Sequence, residues 1–198
     1  MPALPSLDAS PFAQFQRWMK EAEQAEPSDP NAMTLATATP DGRPAARTVL
    51  LKSVDPRGFV FYTNMASRKG DEIATNPRAA LLFFWKSLQR QIRIEGSIER
   101  VTDAEADAYY ATRARVSRLG AWASDQSRPL ADRAILEKRL AEMEQRFPDE
   151  IPRPDYWSGY RLLPDSFEFW REMPYRLHDR SRYQKGADEA WVQSKLFP

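Results

Sequence analysis

Three short clusters hold the residues that could do chemistry. Ser67-Arg68-Lys69-Gly70 puts two cations into what reads as the opening turn of a helix that follows a strand. Free backbone N–H groups and the positive dipole end meet at such a turn, so added cations suit a phosphate; a plain exposed Arg-Lys pair is the alternative. Tyr109, Arg113 and Ser117 are spaced i, i+4, i+8. On one continuous helix they share a face and offer two hydroxyls and a guanidinium to a single anion, with Arg115 and Arg118 nearby. A solvated helix face accounts for the same spacing. Lys52 ends an apolar stretch, Val49 to Leu51, where a charge is conspicuous although a surface lysine is ordinary there. The third cluster is Glu168-Phe169-Trp170 followed by Arg176-Leu177-His178-Asp179-Arg180, which a salt-bridged turn would also explain.

Composition narrows the chemistry. His178 is the only histidine in 198 residues, so a multi-histidine metal site is excluded and no metal is expected. The absence of cysteine removes disulfides, thiolate ligands and thiol nucleophiles, and fits a reducing, cytoplasmic setting. Lys and Arg total 29 against 28 Asp and Glu, a formal charge of +1, so nucleic acid and anionic membranes are not expected partners. The first ten residues lack the basic start and apolar run of a signal peptide, and no stretch approaches the roughly 20 apolar residues of a membrane span.

The elements that must position these clusters follow from periodicity. Ser10-Pro11 caps an amphipathic helix bearing Phe12, Phe15, Trp18, Met19 and Ala22, ending near Pro27. Strands are expected over 33–39, 45–54 and 59–63, and a short helix from Ser67 to Asn76. Longer strands follow over 79–85 and 90–101, the latter with Ile92, Ile94, Gly96 and Ile98 on one face. Thr102-x-x-Glu105 opens a helix through about Arg113, and a second long helix spans 130–147. The tail returns to strands over 159–163, 166–171, 180–185 and 191–196. Antiparallel strands with helices inserted between them predict an α+β protein built on a β-barrel. The whole chain reads as one domain: an N-terminal helix and loop (1–30), barrel strands (31–101), inserted helices (102–147) and C-terminal strands (158–198).

Six segments, taken in order, resemble the pyridoxamine 5′-phosphate oxidase family: Arg47-Thr-Val-Leu-Leu-Lys52, Phe61-Tyr62-Thr63-Asn64, Ser67 to Gly70, Arg90-Gln91, Gly120-Ala-Trp-Ala-Ser124 with Gln126-Ser127, and Glu168-Phe-Trp170 with Arg176 to Arg180. The resemblance covers nearly everything from Asn31 onward. It implies an FMN-binding split β-barrel with flanking helices, working as a homodimer with FMN between the subunits. FMN would then contact Arg47, Thr48, Val49, Leu50, Leu51, Lys52, Tyr62, Thr63, Arg68, Lys69, Gln91, Gln126, Ser127, Trp170 and Arg180. The substrate, pyridoxine or pyridoxamine 5′-phosphate, would meet Lys52, Tyr109, Arg113, Ser117, Arg176, Leu177 and His178. Of these, Arg176 and His178 would be catalytic, with O2 as acceptor, H2O2 as by-product and pyridoxal 5′-phosphate as product.

Two departures accompany the resemblance. Family members often carry an arm with Arg and Tyr before the first helix, whereas Met1 to Ala9 has no such pair, which implies a short or absent lid. Many relatives place glycine between the positions of Trp170 and Arg176; here the run is Arg171-Glu172-Met173-Pro174-Tyr175, so the turn must differ locally. The competing expectations are an FMN oxidase of another aromatic substrate, as in phenazine biosynthesis, and a non-catalytic flavin- or pyridoxal-phosphate-binding protein.

Overall fold

In the computed structural model, which describes residues 7–198, a nine-stranded antiparallel sheet curls around an aromatic core. Met1 to Ser6, most of the segment of the expected short lid, lie outside the described residues. Helix α1 (Pro11–Ala25) starts at Ser10, whose Oγ accepts the Ala13 N–H at 3.5 Å. It buries Phe15, Trp18 and Ala22. Phe15 meets Phe59 and Phe83 edge-on at 4.9 and 5.2 Å, and Trp18 meets Phe169 at 5.3 Å, so α1 seals the core that its spacing predicted.

The remaining elements in chain order are β1 (Ala32–Ala38), β2 (Pro44–Leu50), β3 (Ser53–Asp55), β4 (Gly58–Asn64), α2 (Arg68–Thr75), β5 (Arg78–Trp85), β6 (Arg90–Arg100), α3 (Asp103–Ala111), α4 (Arg115–Ala123), α5 (Arg133–Arg146), β7 (Trp157–Arg171), β8 (Asp179–Lys185) and β9 (Trp191–Leu196). Strand order is β2-β1-β5-β6-β7-β4-β3, with β8 on β7 and β9 on β8. The two ends of that path, β2 and β3, are consecutive in sequence and joined only by Leu51-Lys52. This link curls the sheet back on itself, and the Lys52 N–H donates to the Val60 carbonyl at 2.9 Å. Strand β7 creates the split. Residues 157–162 pair with β4, residues 166–171 pair with β8, and β6 runs along the other edge from Tyr160 to Arg171.

Several boundaries differ from expectation. The strand expected over 45–54 is two strands, broken at Leu51-Lys52 where the sheet turns its corner. The strands expected over 159–163 and 166–171 are one: Pro164 sits at a β-bulge opposite Gly96, where the missing ladder N–H is tolerated. The helix opened by the Thr102–Glu105 capping box ends at Ala111 rather than near Arg113. Thr112 Oγ1 donates to the Tyr109 carbonyl at 2.8 Å, and the chain restarts as α4 after an extended Ala114. The helix expected from Leu130 begins at Arg133, because Asp132 supplies the cap through the Ala134 N–H at 2.8 Å. The alternation expected on β6 holds, with Ile92, Ile94, Gly96 and Ile98 inward.

Candidate active site

A cleft of about 730 Å3 opens between the end of β2, the end of β4 and the broken helix α3–α4. Its floor is aromatic. Tyr62 stacks on Tyr109 at 4.0 Å and on Trp157 at 5.5 Å, with interplanar angles of 14° and 6°. This packing requires Gly159 across the ladder from Tyr62, since a Cβ there would lie 2.8 Å from the ring. Thr48, Val49 and Leu50 form one wall, while Gly120, Ala121 and Ser124 keep the opposite wall low. Leu51, the next residue of the same stretch, turns away into the core and is 7% exposed.

Two groups of cations serve this cleft. At one end Arg113 lies over the Trp157 ring at 4.7 Å. Burial pushes its pKa below the usual guanidinium value, with the neighbouring Arg118 adding to that effect, and its Nη1 is buried without a hydrogen-bond partner among the described residues. Tyr109 and Ser117 line the same end, and Lys52 Nζ stands 5.9 Å from the Tyr109 ring. No single helix carries Tyr109, Arg113 and Ser117: Tyr109 is on α3, Arg113 lies in the break and Ser117 is on α4. The three still line one cleft, on either side of the break at Thr112–Ala114.

The second group lies at an adjoining hollow of about 360 Å3 lined by Arg47, Arg68, Lys69 and Ser127. Lys69 lines both spaces. It is nearly buried, burial lowers its pKa, and its ammonium donates to neutral oxygens only, Ser67 Oγ at 3.1 Å and Gln126 Oε1 at 2.8 Å. Among the described residues it makes no ion pair. Gln126 also accepts the Thr63 hydroxyl at 3.2 Å, which ties β4 to the segment after α4. Gly70 lets α2 sit this close: a Cβ would fall 1.9 Å from the Met65 carbonyl oxygen. Ser67 occupies the N-cap position, but its hydroxyl donates to the Asn64 carbonyl at 2.6 Å instead of capping.

Gln91, Trp170, Arg180, Arg176, Leu177 and His178 are elsewhere. Gln91, Trp170 and Arg180 form one row across β6, β7 and β8. Arg180 donates to Glu168 at 2.7 Å and to the Phe197 carbonyl at 2.8 Å. The His178 ring lies 4.7 Å from the Trp170 ring, and its Nδ1 accepts the Met173 N–H at 3.3 Å. Trp157 floors the cleft, and Trp170 lies thirteen residues further along the same strand. At about 3.3 Å per residue that is roughly 40 Å along β7. One chain therefore presents a cleft at one end of β7 and a polar row at the other.

Sequence reasoning missed Glu72, Thr37 and Trp157. Glu72 is buried yet accepts from Arg47, Arg68 and Thr37. Its i+4 spacing from Arg68 was a usable signal for an ion pair. Trp157 follows a proline-rich loop with no local pattern to mark it as a floor.

The chain matches two family models, pyridoxamine 5′-phosphate oxidase over residues 19–147 and the pyridoxine 5′-phosphate oxidase C-terminal dimerisation region over residues 157–198. It belongs to the pyridoxamine 5′-phosphate oxidase family. A pyridoxine/pyridoxamine 5′-phosphate oxidase of Gluconobacter oxydans is 59% identical, covering 97% of this chain and 96% of its own. One from Granulibacter bethesdensis is 61% identical over 95% and 91% of the two chains. Among solved structures, PhzG from Burkholderia lata 383, in complex with tetrahydrophenazine-1-carboxylic acid, superposes with a TM-score of 0.91 at 35% identity, covering 96% and 94%. A pyridoxamine 5′-phosphate oxidase-related, FMN-binding protein of Nostoc punctiforme shares the fold at 18% identity and a TM-score of 0.77. The α+β split barrel is thus the fold of this chain, and the dimerisation region spans β7 to β9. No helix among the described residues is long and apolar enough to cross a membrane.

Proposed function

We propose that the chain is an FMN-dependent oxidase, cytoplasmic and homodimeric, that converts pyridoxine or pyridoxamine 5′-phosphate to pyridoxal 5′-phosphate. The observation that carries this reading is the pair of cation-lined seats flanking one aromatic cleft. Flavin mononucleotide and the substrate are both phosphate monoesters, and each seat takes one of them. The donor set fits FMN. Lys69, a nearly buried ammonium without a carboxylate partner among the described residues, gains an anion at its seat, with Arg47, Arg68 and Ser127 completing the hollow. Arg113, Tyr109, Ser117 and Lys52 take the substrate phosphate, and the buried unpartnered Nη1 of Arg113 is the donor that phosphate satisfies.

Bound FMN supplies the two-electron acceptor for the substrate's exocyclic C–H and the route by which O2 becomes H2O2. The rest of the work is positioning. Tyr62, Thr63 and Gln126 fix the wall between the two seats, so both phosphates are anchored at set places and the reacting carbon is held where it must be. Gln91, Trp170 and Arg180, with Arg176, Leu177 and His178, serve the partner subunit's cleft rather than their own. The length of β7 between the two sets supports this exchange, as does the dimerisation region that carries five of these six residues.

The test is peroxide release when pyridoxine 5′-phosphate is added to the FMN-loaded protein. A phosphate-free aromatic carboxylic acid is run alongside, because the PhzG structure at 35% identity holds such a ligand. Turnover of the carboxylic acid without turnover of the phosphate ester would refute the assignment. The relatives at 59% and 61% identity favour the phosphate ester.

A further inference from the structure

We propose that Glu72 is a positioning residue for the FMN phosphate, a buried carboxylate that holds two guanidiniums from different elements in the geometry of the seat. This rests on the reading of Arg47, Arg68 and Lys69 as that seat. Glu72 is 3% exposed, on the buried side of α2. Its Oε2 accepts Arg47 Nη2 at 2.8 Å and the Thr37 hydroxyl at 2.5 Å, while its Oε1 accepts Arg68 Nε at 2.8 Å. Arg47 Nη1 donates to Thr37 Oγ1 at 2.5 Å, so Arg47, Thr37 and Glu72 close a hydrogen-bonded ring between β2, β1 and α2. Burial opposes the carboxylate's charge, but hydrogen bonds from Thr37, Arg68 and Arg47 outweigh it and hold the carboxyl below its usual range.

The consequence for an anion is specific. Glu72 holds Arg68 through Nε, which leaves both of its terminal nitrogens for the hollow, although the side chain is 65% exposed and has no other ion pair among the described residues. A free arginine this exposed would sample many rotamers, and ordering it on binding costs affinity. The clamp removes that cost before the ligand arrives. Charge agrees with this role. Arg47, Arg68 and Lys69 against Glu72 leave a net of about +2, which matches the −1.5 to −2 of a phosphate monoester near neutral pH. Without Glu72 the seat would hold a larger positive charge but no fixed geometry, so its two effects on FMN affinity have opposite signs.

Flavin-free full-length dimer is titrated with FMN and, separately, with riboflavin, which lacks the phosphate, following the quenching of flavin fluorescence. Glu72→Gln should weaken FMN by roughly 10- to 100-fold, the size expected for losing one or two hydrogen bonds to charged groups. It should change riboflavin affinity by less than about threefold, since that ligand does not use the seat. Thr37→Val leaves every charge in place and breaks the ring at its neutral member, so it should weaken FMN in the same direction by a smaller factor. FMN binding as tight as, or tighter than, the parent in Glu72→Gln means the carboxylate acts only by opposing charge, and the proposal falls. Equal losses of FMN and riboflavin mean a purely structural role, with the same result. If Glu72→Gln does not fold, Thr37→Val decides alone, and unchanged FMN affinity overturns the idea. Arg68→Ala checks the underlying seat separately: if it leaves the preference for FMN over riboflavin intact, the reading of the seat fails rather than the role of Glu72.

Discussion

Replacing Arg113 with alanine should raise KM for pyridoxine 5′-phosphate strongly while leaving FMN content unchanged. The guanidinium is already desolvated: it lies over Trp157 at 4.7 Å and its Nη1 is buried with no partner among the described residues. A phosphate oxygen at that nitrogen forms a charge-assisted hydrogen bond without further dehydration of the protein, and the stacked ring has already fixed the side chain. Truncating one member of a buried hydrogen-bonded charge pair costs about 2–5 kcal/mol. Lys52 remains in the same seat as an exposed second cation, which places the loss near 2–4 kcal/mol, or roughly 30- to 700-fold in affinity. Steady-state peroxide release gives KM and kcat, and the bound flavin absorbance gives FMN content. Arg113→Lys should recover only part of the loss, because a point charge lacks the planar stack on Trp157. The reasoning is refuted if Arg113→Ala loses flavin but keeps substrate affinity, which would exchange the roles of the two seats. It is refuted equally if phosphate-free pyridoxine suffers the same rise in KM.

Three further outcomes follow from the geometry. Glu105, held at a pKa of about 2 chiefly by hydrogen bonding from Arg161, carries stability that is present above the ordinary carboxyl value of 4.5 and lost as pH falls toward 2. Glu105→Gln should therefore lower Tm at neutral pH, with the gap to the parent narrowing across that acid window; a gap that widens instead would reverse the sign of the linkage. Co-refolding an Arg113→Ala chain with an Arg176→Met chain should, at substrate well below the raised KM, give more oxidase activity than either homodimer, because the mixed dimer contains one site whose cleft and polar row are both intact, and failure to complement would place the two sets in the same subunit's site. Arg176→Met should lower anaerobic single-turnover flavin reduction more than His178→Asn: His178 Nδ1 already accepts the Met173 N–H, so the neutral ring carries its proton on Nε2 and has no free base there. The His178→Asn loss should fall at or below the low end of the roughly 10²–10⁴-fold range of general acid–base catalysis, and reduction abolished by His178→Asn with Arg176→Met near normal would overturn that ranking.

What could be read in the sequence was whatever is local. Alternation along Arg90 to Arg100 and the apolar stripe on α1 gave correct faces, because side-chain direction in one element depends only on its own period. The Arg68-Lys69 pair was legible for the same reason, since a helix start and its cations are neighbours in the chain. Long-range geometry was not. Nothing near Pro164 announces that a bulge opposite Gly96, some seventy residues earlier, lets one strand run through the proline. The spacing of Tyr109, Arg113 and Ser117 picked out residues that line one cleft, but they come from two helices and the break between them, not from one helix face. The separation of the Trp170 row from the cleft is likewise a property of strand length and pairing, which the order of motifs conceals.

The run from Arg171 to Tyr175 shows where a local departure becomes a physical cost. Both Tyr175 and Arg176 lie in the left-handed region, at φ 59° and 60°. A non-glycine residue there costs about 1–2 kcal/mol, and a glycine would adopt the same turn without that strain. The turn is held from both sides, by the Leu177 N–H donating to the Pro174 carbonyl at 3.2 Å and by the Met173 N–H donating to His178. His178 therefore has a structural task, fixing the loop that carries Arg176, before it has any chemical one. Its exposed neighbours Tyr175 and Leu177 stand at 86% and 63% accessibility in the isolated chain. Apolar surface of that kind beside a strained arginine is what a partner subunit's cleft would cover, and its burial would help to offset the strain. In the proposed exchange between subunits, the contact that brings Arg176 to the substrate also stabilises the turn that aims it.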